Sequence, residues 1–228
     1  MSIQIKNISK AFKSTQALKS ISFDAKPGDI VGILGPNGAG KSTMMKIISG
    51  YYQQDKGTIS ICGKDTLVNE VFVKQKIGYL SEENPLYPEM FVQEFLEFIC
   101  DLHKISYENF KNLIHLTGLQ KVRCKKIKTL SKGFQQRVGI AQSLIHDPEV
   151  IILDEPTSGL DPKQLIEIRK IITSIGKEKT ILLSTHIIQE VEAMCNRIII
   201  INNGEIIANK RIEEFNDKIE EIFLQLIK

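Results

Sequence analysis

The stretch GPNGAGKST, from Gly35 to Thr43, limits the fold more than any other part of this 228-residue chain. It follows the apolar run IVGIL and precedes MMKIISG, so it is the turn from a hydrophobic strand into a helix running to Gly50. Gly35 and Gly40 have the spacing of a phosphate-binding loop, and Lys41 and Ser42 follow at once. The glycines let backbone N–H groups of the loop, which includes Pro36, Asn37, Gly38 and Ala39, point inward around an anion. A helix that opens near Lys41 adds the positive end of its dipole. Lys41 is then placed to reach the β- and γ-phosphates of ATP, Ser42 offers a hydroxyl to Mg²⁺, and Thr43 completes the motif.

A second stretch, VIILDEPTSGLDP, supplies acids (Val150 to Pro162). Its short aliphatic run suits a strand covered on both faces, as in a parallel sheet, whose C-terminal end is where α/β proteins place their chemistry. Asp154 fits the acid that holds Mg²⁺ opposite Ser42, and Glu155 fits the group that orients or deprotonates an attacking water. Pro156 turns the chain away.

The remaining organisation agrees with an α/β class. Ile3 to about Ala25 has period two, interrupted by FKSTQAL, and predicts an antiparallel β layer. GTISICG and KIGYL predict two further strands. From Pro88 to about Gly118 the chain turns helical, with Phe91, Phe95, Phe98 and Ile99 at helical spacing, and the basic KVRCKKIK follows. A helix from about Lys132 to His146, the acid-bearing strand, a helix with Leu165, Ile168, Ile172 and Ile175 on one face, the strand TILLST and the short helix IQEVEAMC come next. In RIIIINNGEIIA the NNG suits a tight hairpin turn, and the tail IEEFNDKIEEIFLQLIK predicts a docked amphipathic helix.

Bulk properties exclude several classes. A net charge of +3, dispersed along the chain, gives no reason to expect nucleic acid as a partner. Cys62, Cys100, Cys124 and Cys195 form no C-x-x-C pair, so neither a zinc site nor a disulfide framework is signalled. The N-terminus alternates like a strand rather than a secretion signal, and no apolar run approaches the ~18 residues of a membrane span. If the protein serves a membrane, another chain must cross it.

At LSKGFQQRVGIAQSLIHDPEVIILDEPTSGLDP the chain resembles the ATP-binding subunit of an ABC transporter, and the resemblance runs from about Ile3 to Asn209. It implies a P-loop NTPase of ABC type: a mostly parallel sheet core with an N-terminal antiparallel β layer and an inserted helical subdomain. The expected division places the core in 1–84 and 148–209, the helical subdomain in 85–147 and a C-terminal helix in 210–228. The resemblance also implies that Ser131 and Gly133 of the signature peptide cap the ATP held by a second copy, or by a homologous subunit, in a head-to-tail dimer. Ser131 as N-cap, the Gly133 N–H and the helix dipole make that chemically sensible. Phe12 matches the aromatic on adenine, with a core role in the β layer left open. Asp161 matches the loop that crosses between subunits, and a plain helix N-cap looks the same. His186 matches the γ-phosphate histidine, whereas His103, His115 and His146 lack such context and are expected at the surface or in packing.

Two departures from the family pattern stand out. Glu82 occupies the position of a glutamine that touches Mg²⁺ and the attacking water, and Lys132 and Phe134 replace the usual glycine and glutamine of the signature. A carboxylate at 82 still ligates a hard cation but adds negative charge beside a polyphosphate. GYLSEENPLY together with LSKGFQQRVGIAQSL is similar to the exporter subfamily that includes gliding-motility-associated ATPases, in which the closing motif usually comes later. The implied function is ATP hydrolysis driving a transporter, an exporter by this similarity, at the cytoplasmic face of a cell membrane with transmembrane permease subunits as partners. Leu86, Tyr87 and Phe91 are expected to face them, with a core role for Phe91 left equally open. An importer subunit and a soluble ATPase of translation or DNA repair are the competing readings; neither the added C-terminal domain of sugar importers, nor paired cassettes, nor a long coiled-coil insertion is present. A binding module without catalysis is disfavoured by Lys41 and Glu155.

Overall fold

The computed structural model describes residues 1–107, 110–215 and 219–226. The chain begins with β1 (Ile3–Phe12), β2 (Thr15–Ala25), β3 (Ile30–Leu34), α1 (Lys41–Ile48), β4 (Lys56–Ile61), β5 (Lys64–Asp65), α2 (Glu70–Lys76) and β6 (Ile77–Leu80). Then come α3 (Val92–His103), α4 (Phe110–Leu116) and α5 (Lys132–Leu144), with a 3-10 turn at Ile127–Thr129. β7 (Val150–Asp154), α6 (Pro162–Ile175), β8 (Thr180–Thr185), α7 (Ile188–Met194), β9 (Arg197–Asn202), β10 (Glu205–Arg211) and α8 (Ile219–Leu226) follow.

Two sheets result. One is antiparallel, in the order β2-β1-β4-β5, and the other has the order β10-β9-β3-β8-β7-β6, parallel from β9 to β6 with β10 antiparallel at its edge. The alternation of side chains along each parallel strand separates two cores. Val31, Ile33, Val150, Ile152, Ile199 and Ile201 pack with the antiparallel sheet and α1, whereas Ile30, Leu34, Ile151, Leu153, Ile198 and Ile200 pack with the helical region. Both faces are covered, and so the central positions of these strands are apolar in succession, with polar residues at the strand ends. Burying each such aliphatic chain contributes about 1.5–3 kcal/mol.

The helical stretch differs from expectation in its details. Phe91 does not join the buried face: the helix starts at Val92, and Phe91 remains outside it, 44% exposed, with its N–H donating to Glu94 Oε2 at 3.1 Å. Lys104, at φ 55, ends α3, and the chain resumes as α4 instead of continuing one helix. Leu86 is half-buried against the core, while Tyr87 is exposed. α2 and β5 are elements that no periodic pattern announced; among the α2 residues Val73 alone is buried, so there is no apolar stripe to read. His103 and His146 stack with ring centroids 4.4 Å apart, a packing contact between the end of α3 and the residue beyond α5. The tail expected as one helix is a 3-10 turn (Ile212–Phe215) followed by α8, with Phe215, Ile219 and Phe223 buried; residues 216–218 and 227–228 lie outside the described residues.

The strand order sets the site. β3, β8 and β7 are neighbours in parallel, so the loop after Leu34, the acids at the end of β7 and the residue after Thr185 all emerge at one edge.

Candidate functional site

The loop from Gly35 to Gly40 leads directly into α1, whose first residue is Lys41. Glycine is required here by contact as well as by dihedral angle. A Cβ on Gly35 would lie 2.3 Å from Ile201 O, and one on Gly40, at φ 107, would lie 2.7 Å from Ala17 O. The loop is therefore pressed against β2 and β9. The turn joining β9 and β10 holds it there: Asn203 and Gly204 have φ of 48 and 78, the Gly204 N–H donates to Ala39 O at 3.0 Å, and the Lys19 N–H donates to Gly204 O at 2.7 Å. The expected NNG turn is thus also a wall of the site.

The loop borders a cavity of about 870 Å³ that also takes in Glu82, Glu155 and His186. Lys41 Nζ donates to Gly35 O at 2.8 Å and Pro36 O at 3.1 Å, and lies 3.9 Å from Glu155 Oε1. Burial pushes its pKa down, opposed by the nearby carboxylates of Glu155, Asp154 and Glu82. A desolvated cation held only by two carbonyls and a distant acid is ready to exchange them for phosphate oxygens. Ser42 Oγ donates to Asp154 Oδ1 at 3.1 Å, and Asp154 is 1% exposed. Glu155 follows in the left-handed region, φ 49, and its carboxylate lies 3.1 Å from His186 Nδ1. A glycine loop, an ammonium and paired hard oxygen donors fit a nucleotide polyphosphate with Mg²⁺, for which Asp154 and Ser42 are the donors that could hold the metal.

Other expected residues are placed elsewhere. Ser131, Gly133 and Asp161 do not line this cavity. Ser131 occupies the N-cap position of α5, but its side chain makes no cap hydrogen bond, contrary to the expectation that it caps that helix. Asp161 does cap α6, its Oδ1 accepting the Gln164 N–H at 2.9 Å. Phe12 is outside the cavity lining; it is 40% exposed, with its ring edge-on to Tyr52 at 5.3 Å. Glu82 lines the cavity on a loop tied to α5 by Asn84, whose Nδ2 donates to Gln135 O at 3.0 Å. Reading the sequence missed Thr15, Gln16, Ala17 and Lys19 of β2, Ser158 after the two acids, and Asn203 and Gly204. Only the NNG turn gave a signal, since nothing local tells that two distant hairpins meet at the loop.

The family model for "ABC transporter" matches residues 18–158. The chain belongs to the ABC transporter family. It is 35% identical over 222 residues to the lantibiotic transport ATP-binding protein SrtF of Streptococcus pyogenes, covering 97% of this chain and 95% of that one. A solved structure of an ATP-binding subunit of an ABC transporter aligns over 100% of both chains, with TM-score 0.89 and 27% identity. A dimeric post-hydrolysis state of the ATP-binding cassette MJ0796 bound to ADP and Pi aligns over 92% of this chain and 98% of that one, with TM-score 0.82 and 27% identity. This ABC transporter protein is accordingly an ATP-binding subunit and an ATPase, and relatives are named as transporter components rather than soluble factors. Among its described residues no helix is long and apolar enough to cross a membrane.

Proposed function

We infer that this subunit works as a head-to-tail dimer in which each cavity is completed by the start of a partner's α5, and that the dimer drives an exporter. The observation that carries the reading is an asymmetry in one protomer. The cavity gathers the loop, Lys41, Glu155 and His186, yet Ser131 and Gly133 stay away from it. A helix start whose serine makes no cap bond keeps donors free for an anion supplied by another molecule.

In this reading the loop amides and Lys41 bind the phosphates, Ser42 and Asp154 would hold Mg²⁺, and Glu155 takes the proton of the attacking water while His186 keeps its carboxylate oriented. When bound, Mg²⁺ neutralises charge on the β- and γ-phosphates. Glu82 is a further oxygen donor at the same cavity, and Asp161, which caps α6, would also lie at the subunit boundary of the dimer. Phe12 contributes an aromatic face near the base, beyond the cavity lining. Export as the direction rests on the similarity to the gliding-motility-associated group, and a relative named for lantibiotic transport is compatible with it. The subunit would lie on the cytoplasmic face of a membrane, with Tyr87 and Phe91 exposed toward the permease.

The test is ATP-driven assembly. Glu155→Gln should bind ATP, lose turnover and run as a dimer by light scattering only when ATP and Mg²⁺ are present. Adding Ser131→Arg should return it to a monomer that still binds ATP. Wild-type turnover in Glu155→Gln, or hydrolysis per protomer that ignores protein concentration down to high dilution, overturns the reading.

A further inference from the structure

β8 ends in two hydroxyl residues, Ser184 and Thr185, both 0% exposed, after the apolar run Ile181 to Leu183. A hydroxyl cut off from water needs partners inside the protein. Thr185 serves its own neighbourhood, its Oγ1 accepting the Ile187 N–H at 3.1 Å. Ser184 reaches across the sheet.

In the parallel register Ser184 sits opposite Asp154. Its Oγ lies 2.5 Å from Asp154 Oδ1 and 2.9 Å from the Glu155 nitrogen. The direction of these bonds is determined, because a backbone N–H can only donate; Oγ accepts from Glu155 and sends its own proton to Asp154. Ser42 Oγ donates to the same Oδ1 from the opposite element, α1. One carboxylate oxygen is therefore gripped by two hydroxyls, which leaves Asp154 little rotational freedom. Glu155, next in sequence, holds the left-handed backbone that non-glycine residues seldom adopt, and its amide is anchored on Ser184.

We propose that Ser184 is a positioning residue for ATP hydrolysis, its single hydroxyl locking the carboxylate of Asp154 to the backbone of Glu155 so that the two acids keep a fixed relation. The inference rests on the roles given above to Asp154 and Glu155. Among the described residues the Ser184 hydroxyl bonds to Asp154 and to the Glu155 amide, and no hydrogen bond joins it to the phosphate loop or Lys41, so it acts on turnover more than on nucleotide grip. Without the hydroxyl, Asp154 keeps only the Ser42 bond on Oδ1, and the Glu155 amide loses its acceptor.

Steady-state ATPase measurements on Ser184→Ala, Ser184→Cys and Ser184→Thr, with amide hydrogen exchange at Glu155 in nucleotide-free protein, test this. Ser184→Ala should lower kcat by about 10- to 100-fold, as loss of a residue that orients a metal ligand does, and leave KM for ATP within about threefold. Its Glu155 amide should exchange faster than in the parent. Ser184→Thr should recover both kcat and protection. Parental kcat in Ser184→Ala, a loss confined to KM, or a slow Ser184→Thr whose Glu155 amide is still protected would each overturn the proposal. If Ser184→Ala does not fold, the near-isosteric Ser184→Cys decides by the same kcat and exchange criteria, because a thiol bonds poorly to either partner. Glu155→Gln run in parallel separates the two failures: if it too turns over normally, the site reading is wrong, and if it alone is inactive, only the role of Ser184 is.

Discussion

The two helix starts that carry the motifs of this chain, α1 and α5, are built in opposite ways. At α1 the polar groups are engaged within the protomer: Lys41 on Gly35 O and Pro36 O, Ser42 on Asp154, Glu155 beside His186. At α5 the N-cap Ser131 forgoes a bond that Asp161 makes at α6. The surroundings of α5 are packed all the same. A Cβ on Gly133 would lie 2.6 Å from Gln164 Cδ, and one on Gly159 would lie 2.4 Å from Lys132 Nζ. The helix start is held firmly by its neighbours while its serine is spared. An N-cap bond is worth about 1 kcal/mol, so leaving it unmade is a cost that a second protomer's nucleotide would offset. In the dimer proposed above, the difference means that folding alone assembles one half of the site and that the other half is presented.

The largest effect should come from breaking the folded half. Lys41→Ala removes the buried cation beside Glu155 in the cavity, and turnover should fall by about 10²- to 10³-fold, with ATP binding weakened in calorimetry. Retention of more than a tenth of the activity would mean that the ammonium does not meet the phosphates. The contrast between caps gives an intermediate effect and sharpens the comparison. Asp161→Ala should cost about 1 kcal/mol of stability in urea unfolding, whereas Ser131→Ala should leave the unfolding midpoint in place and still lower turnover. A Ser131→Ala protein as destabilised as Asp161→Ala would show that the serine is an ordinary cap. The smallest effect belongs to Glu82. Glu82→Gln takes one negative charge from the cavity and should raise the Mg²⁺ concentration for half-maximal activity while leaving ATP affinity unchanged, and an unaltered metal titration would place Glu82 away from the metal.

How much of this was legible varies with the range of the interaction that decides it. The phosphate loop, the acid-ended strand and the NNG turn are local, set by steric rules over a few residues, and they appear where the motifs place them. The α3 boundary was misjudged because Phe91 fits helical spacing; the backbone instead enters the helix only at Val92, and the Glu94 side chain accepts the Phe91 N–H. The short α2 had no stripe to betray it. For the site, most residues within the motifs were readable, and those outside them were not: Thr15, Gln16, Ala17, Lys19 and Asn203 reach the cavity only because Gly35 and Gly40 allow β2 and β9 to close on the loop. Phe12, one strand away by sequence, ends edge-on to Tyr52 instead.

By itself, then, the amino-acid order determined the fold class, the anion cradle and the identity of the two acids, since each depends on spacing along the chain and on what glycine, lysine and carboxylate can do. Tertiary structure alone decided that Ser184 faces Asp154, that the β9–β10 turn walls the cavity and that Ser131 goes without its cap bond. Those outcomes follow from strand register and close packing between segments far apart in sequence, which no local pattern encodes.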